Sequence, residues 1–494
     1  MQNVNSYNQN SQNFNYLAHI KQYIVIAAII YLITSIFSVG HNHPDEYYQI
    51  LQFAAYKIGF GLKEHLTWEY FHQMRSAFLP EIVIIIYKFF SLFNLANPFF
   101  ITFITRLLAG IFSLFSILVF INTFIHTIKD NRYQKWFILL SLFTWLTVYN
   151  NIRFSPENLS AKFFLLGISF CYTNLSTRLT SKNILAGIML GLAFTCRFQT
   201  GFLIFGLMLW LTFINKSSFK ILLILGITIL ITILISNCLI DYHFYETFTI
   251  TPWNYFTQNI LLGQASNFGN DPWYFYLYTI GFLPFGPMYI GSLVILVIYR
   301  PKNIFIWTII PFIFSHELVG HKEFRFLVPL LNFMPLLIMY AFEILKEKKN
   351  FAIELKLPKT IKFAWYMNCF LIIPVALLPS AIQISLCKAM YNKYTEPTTF
   401  YYITEGGNEL DFYKRVNMQT IPITTLKQIQ CSKNMNCLVA LTCQQSEELL
   451  PKYSNPVYSL CPSWIKKLDF NNWLERTAIY NVYELNNIES INNK

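Results

Sequence analysis

Charge is scarce in this chain: 13% of its 494 residues are Asp, Glu, Lys or Arg, against 54% hydrophobic residues. A share so low, with the charges falling between long apolar runs, excludes a soluble globule and leaves an all-α polytopic membrane protein. Other things are missing too. There is no glycine-rich phosphate loop and no Ser-His-Asp arrangement. His316, Glu317 and His321 imitate a zinc-protease signature, but that motif needs its histidines four apart on one helix face. Five apart, they diverge by about 140° around a helix, so a metalloprotease is rejected. No pair of corresponding Gly/Pro-broken segments recurs in two halves of the chain, as it does in many transporters. No small-residue cleavage site follows the apolar run 23–37, which therefore reads as a retained signal anchor. The net charge of +12 comes largely from short loops between apolar runs, where cations orient a membrane protein, so nucleic acid is set aside as a partner in favour of membrane lipid.

The loop charges give a topology. Basic segments at 129–135, 178–182, 216–220, 300–302 and 346–362 are assigned to the cytoplasmic side, and the less basic loops between them to the other side. Residues 1–21 form a polar cytoplasmic tail and 22–387 a multi-span domain of roughly eleven crossings, several of them shorter than the ~20 residues a full crossing needs. Parity requires the run 82–93 to be juxtamembrane or re-entrant. The last apolar run, 363–386, crosses outward and delivers 388–494 as a small non-cytoplasmic domain. There Cys431, Cys437, Cys443 and Cys461 suit two disulfides, with free thiols the plainer alternative.

The first outer loop, 39–80, is the polar interruption around which the remainder is arranged. Asp45 and Glu46 sit just past the end of the first span, either as reacting acids or as residues that merely favour the first turn of a helix opened by Pro44. Farther on, ionisable residues collect at the ends of apolar runs on the same side, where they are costly and tend to mark a site. Arg153 has Glu157 four residues on as a potential partner. Arg197 ends a span with no acid near it in sequence and would suit a phosphate. The stretch 241–276, including Asp241, Tyr245 and Trp273, mixes acids with aromatic rings that suit sugar faces or a membrane-interface belt. His321, Lys322, Glu323 and Arg325 form a second cluster, in which the cations could clamp a phosphate or join a surface network.

The motifs His43-Pro-Asp45-Glu46-Tyr-Tyr-Gln49, Leu66-Thr-Trp68-Glu69-Tyr70 with Arg75, Asp241-Tyr-His-Phe-Tyr245, residues 268–276, and His321-Lys-Glu-Phe-Arg325-Phe326, in that order, resemble glycosyltransferase family 22 and its glycosylphosphatidylinositol (GPI) branch. The resemblance implies the GT-C fold. It also implies an endoplasmic-reticulum membrane enzyme, or an inner-membrane one if bacterial, that moves mannose from a dolichyl- or other polyprenyl-phosphate carrier to a glycan or glycolipid hydroxyl, with inversion, outside the cytoplasm. By match to the family's first-loop motif, Asp45 is the expected base and Glu46 the second choice. His321, Lys322, Arg325 and Arg197 would hold the donor phosphate, and since those cations would suffice for the leaving group, no tightly bound metal and no cofactor are expected; Trp68, Glu69, Arg75, Arg153, Asp241, Tyr245 and Trp273 would shape the acceptor side. A bacterial enzyme using another polyprenyl-phosphate sugar, or a flippase for a lipid-linked glycan, is the alternative.

Overall fold

The computed structural model describes residues 16–177, 180–348, 351–403, 410–414, 418–423, 425, 428–430, 435–442, 456–459 and 480–485. Residues 1–15 of the polar tail, Arg178 of the basic segment 178–182, and Cys431, Cys443 and Cys461 lie outside the described residues; Cys437 is disulfide-bonded.

Helices form the body. Among the described residues, Ile20–Phe37, Pro98–Thr127, Phe219–Tyr245 and Lys359–Lys393 are long and apolar enough to cross a bilayer. Two bent pairs raise the count to six: Gly286–Tyr299 with Ile304–Glu317, broken by 118°, and Phe324–Leu331 with Met334–Glu347, broken by 64°. Against the roughly eleven crossings expected from loop charge, the shorter apolar helices Thr180–Cys196 and Phe198–Ile214 fall below the length of a straight crossing.

Local signals set where the helices begin and how they meet. Pro98 opens its helix with the Asn97 side chain accepting from Phe99 N at 2.8 Å, satisfying a backbone donor that has no partner inside the helix. Thr180–Cys196 packs against Phe219–Ile235 through Gly187 and Gly191, where an added Cβ would come within 2.6 Å of Thr228 and Thr232 respectively. Small residues four apart allow that close approach, which replaces the hydrophobic driving force that lipid does not supply.

The C-terminal part adds a sheet of β1 (Thr398–Ile403), β2 (Met418–Ile423), β3 (Asn436–Thr442), β4 (Tyr458–Ser459) and β5 (Tyr480–Glu484), in the order β2-β1-β3-β5-β4. β1 runs parallel to β2 and β3, while β5 is antiparallel to β3 and β4. Alternate residues feed two apolar clusters: Tyr401, Val439, Leu441 and Tyr483 on one face, and Phe400, Leu438, Ala440 and Val482 with Leu386 and Met390 on the other.

Two ties fasten this end of the chain to the first outer loop. Backbone N–H groups of Ser380 and Ala381 donate to Val39 O at 2.8 and 3.1 Å. Gly40, at φ +96°, lies so close that a Cβ there would meet the Ala381 Cβ at 2.5 Å. Farther on, Asp411 accepts from Gln52 Nε2 at 2.6 Å and pairs with His65 at 2.7 Å, and Tyr413 stacks on Phe99 and Tyr47. The loop carrying Asp45 is thus held between the helices and the C-terminal segment.

Candidate active site

Pro44 starts the loop helix, and His43 caps it: its Nδ1 accepts from Asp45 N at 3.2 Å. The helix continues through a π-turn at Tyr47–Leu51, burying Tyr47, Gln49, Ile50 and Leu51 and leaving Asp45 half-buried at its first turn.

Asp45 faces a second chain segment. Its Oδ2 lies 2.8 Å from Arg325 Nη2, and its Oδ1 lies 3.5 Å from His43 Nδ1. Glu323 gathers the neighbours, reached by Arg325 Nε at 2.5 Å, His321 Nε2 at 2.8 Å and His43 Nε2 at 3.2 Å. Arg325 Nη1 also approaches Glu157 Oε1 at 3.5 Å. Glu157 in turn is hydrogen-bonded by Arg197, whose guanidinium lies over Phe326, 4.9 Å from the ring centre. Burial alone would raise the Asp45 carboxyl, but its contact with His43 and the charges of Arg325 and Arg75 outweigh it and hold Asp45 well below the usual carboxylate range. Glu323 is likewise lowered, burial being overcome by its bonds to Arg325 and His321.

Beside this network is a solvent-open cleft enclosing about 30 Å³, lined among others by Gln49, Arg75, Thr195, Arg197 and Gln199. Arg197 has Nε and Nη2 buried without a partner, a costly arrangement for cationic donors. Arg75 is positioned by Glu69, which accepts from its Nη2 at 2.6 Å and from Gln49 at 3.2 Å. Two cations and two amides thus line one space next to Asp45, a donor set suited to an anion.

The residues expected to form a site fall into three groups. Asp45, Arg325, Arg197, His321, Glu69 and Arg75 come together here. Lys322 does not join them: its Nζ donates to Val319 O at 2.9 Å and lies 3.9 Å from Glu317, and its N–H donates to Asp271. Asp241 and Tyr245 serve the scaffold. Asp241 accepts from Ala77 N at 2.7 Å and from Thr251 at 2.8 Å, and Tyr245 OH donates to Arg75 O at 2.7 Å. Trp68 stacks on Phe268, whose ring neighbours His321, whereas Trp273 is 76% exposed. Glu46 and Arg153 line a different space, enclosing about 30 Å³, with Arg106 and Tyr413.

Two sequence readings are corrected. Arg197 has an acid after all, because helix packing brings Glu157 to it from the start of Pro156–Thr177. Glu157 is therefore not the partner of Arg153, whose guanidinium instead donates to Ser38 and to Gly40 O at 3.0 Å and lies over Tyr149. His43 and Gln49 were visible only as members of the first-loop motif; their roles depend on contacts across the fold. Among the described residues, no group of three His, Cys, Asp or Glu side chains is placed to hold a metal.

The Alg9-like mannosyltransferase family model matches residues 23–425. Among curated relatives, GPI alpha-1,2-mannosyltransferase 3 of Xenopus laevis is 25% identical over 341 residues, 67% of this chain and 62% of the relative. The Homo sapiens protein of that name is 24% identical, covering 80% of this chain and 70% of the relative. GPI mannosyltransferase 3 of Candida albicans is 28% identical over 58% of this chain and 56% of its own length. The chain thus spans 62% of the frog relative and 63% of the Mus musculus one. Among solved structures, ArnT from Cupriavidus metallidurans bound to undecaprenyl phosphate matches with a TM-score of 0.56 and 12% identity, over 97% of this chain and 99% of that one. That likeness gives the fold, GT-C.

Proposed function

This chain belongs to the Alg9-like mannosyltransferase family, and from that premise we propose that it transfers a mannosyl group from a polyprenyl-phosphate carrier to a glycolipid hydroxyl, with a GPI-anchor precursor as the acceptor. It is a multi-pass membrane protein of the GT-C fold. The acceptor rests on the names of the curated relatives. The lipid-phosphate donor is supported by the Nε and Nη2 of Arg197, buried beside the cleft without partners, and by the undecaprenyl phosphate on the structural neighbour. The reading places the site on the non-cytoplasmic face of the endoplasmic-reticulum membrane, in keeping with the basic loops on the opposite side.

The observation that carries it is the Asp45–Arg325–Glu157–Arg197 chain beside the Arg75–Arg197 cavity. In the proposed reaction the acceptor hydroxyl oxygen attacks the anomeric carbon. The carbon–oxygen bond to the phosphate breaks, the phosphate leaves with its electron pair, and the hydroxyl proton passes to Asp45. Asp45 held low by Arg325 is a weak base. A phosphate drawing on Arg325 would relieve that pairing and raise its basicity, linking donor binding to proton transfer. Arg75 and Arg197 would stabilise the charge growing on the leaving phosphate.

The test is to incubate purified protein in lipid with labelled polyprenyl-phosphate mannose, or the glucose-bearing carrier, and a pool of GPI precursors. Mannose incorporation at least ~10-fold above glucose supports the reading, since one lost hydrogen-bonding contact is worth about that much. Equal use of both sugars, or labelling of neither, counts against it.

A further inference from the structure

Tyr47 follows Asp45 by two residues and opens the π-turn Tyr47–Leu51, which closes where Gln52 N donates to Tyr47 O. In an α-helix, side chains five apart diverge by about 140° and could not meet. The wider turn brings these two to one face, where Tyr47 OH donates to Gln52 Oε1 at 2.6 Å. A distant segment then completes a ring of hydrogen bonds. Gln52 Nε2 donates to Asp411 Oδ2 at 2.6 Å, from 359 residues away in the chain, and the backbone N of the next residue, Phe412, donates to Tyr47 OH at 3.2 Å. Tyr47 and Gln52 have no exposed surface, and Asp411 is 2% exposed. The direction of every bond is forced: Phe412 N can only donate and the Asp411 carboxylate only accept, so the hydroxyl must point at Oε1 and the amide must turn Nε2 to Asp411. A buried ring satisfied at each member specifies one arrangement. Lys414 and His65 hold Asp411 itself, each at 2.7 Å.

From this geometry we infer that Tyr47 and Gln52 are positioning residues that aim Asp45, because the ring they close with residues 411 and 412 holds the π-turn in place. Turns of this kind are rare inside helices and recur at functional sites. This one sets the direction in which the residues before it leave the helix. Relaxing it to regular winding would rotate Pro44–Glu46 about the axis relative to the helix Gln52–Lys57, and so swing the Asp45 carboxylate away from Arg325 and His43. Both side chains are enclosed, so they act through that carboxylate and not on a substrate. The inference rests on the reading of Asp45 as the base.

Tyr47→Phe removes the hydroxyl while keeping the ring that stacks on Tyr413 at 5.7 Å, and Gln52→Met removes the amide at similar length. Each is made in wild-type and Asp45→Asn backgrounds, and the purified protein in nanodiscs is measured for kcat with polyprenyl-phosphate mannose per folded molecule, for donor binding, and for backbone hydrogen exchange over residues 44–57. Either substitution alone should lower kcat at least ~10-fold with donor binding kept within ~2-fold, the signature of a misaimed reacting group. Exchange over 44–57 should quicken. Once Asp45 is replaced, neither substitution should lower kcat further, since residues acting through one group are not additive. An equal fold-loss in both backgrounds, or an unchanged kcat in the single variants, would overturn the inference while leaving the base in place. Unchanged exchange over 44–57 would overturn it whatever turnover does. Undiminished turnover by Asp45→Asn, or no turnover by wild type, would instead remove the base reading and the inference with it.

Discussion

Pro44 opens a helix, so Asp45 and Glu46 leave it about 100° apart and enter different surroundings. Asp45 meets Arg325 and His43 and stays ionised. Glu46 lines the Arg106–Arg153 cavity, where burial raises its carboxyl to about 7 although the Arg153 charge pulls it down. A raised folded-state value means that the folded protein holds this proton more tightly than the unfolded chain, whose Glu titrates at about 4.3. The associated stability is complete below that unfolded value and is lost as pH rises through about 7. Glu46→Gln removes the titration. Its thermal midpoint relative to wild type should therefore be more favourable at pH 8.5 than at pH 5, as measured by tryptophan fluorescence melts. An equal difference at both values would place Glu46 in a watered setting instead.

Packing between helices is specific at the scale of an element. Gly191 leaves no room for a side chain against Thr232, whereas Gly226 on the facing helix has nothing within 4 Å of an added Cβ. Gly191→Val should cost about 1–3 kcal/mol by overpacking, and Gly226→Ala should be neutral or mildly stabilising because helical glycine is entropically costly. Midpoints in detergent compare the two; a Gly191→Val protein as stable as Gly226→Ala would mean that these helices do not pack as described. Such contacts mark the limit of what a sequence discloses. Asp45 and the basic cluster near 325 were both legible as candidate site stretches because they are polar interruptions among apolar runs, and polar groups there are expensive enough to be noticed; that they pair was not. The partner of Arg197 was not, because Glu157 lies 40 residues away and only the packing of two helices joins them. Asp241 and Tyr245 looked like site residues for the same reason of cost, yet their polar atoms are consumed by backbone and hydroxyl partners that no spacing announces. The sheet of β1 to β5 was equally hidden. Its strands are short and separated by long polar stretches, and the one signal noticed there was cysteine.

Across the whole molecule, the loop 39–80 is fastened on one side by Arg325 of the bent pair that begins at Phe324 and by Glu323 just before it, and on the other by Ser380, Ala381 and Asp411 farther along the chain. The acid proposed as base thus sits on a platform made by segments hundreds of residues apart, which fixes its distance from the cationic cavity before any substrate arrives. If that platform serves transfer, Asp45 is its centre. The most direct measurement is turnover of labelled polyprenyl-phosphate mannose by wild type and by Asp45→Asn, matched for thermal midpoint, with donor binding measured alongside. The account predicts a loss of ~10²-fold or more in kcat with donor binding largely kept, the scale of a removed general base. Undiminished turnover by the Asn variant would contradict it and leave Asp45 as the first-turn acid of a helix and no more.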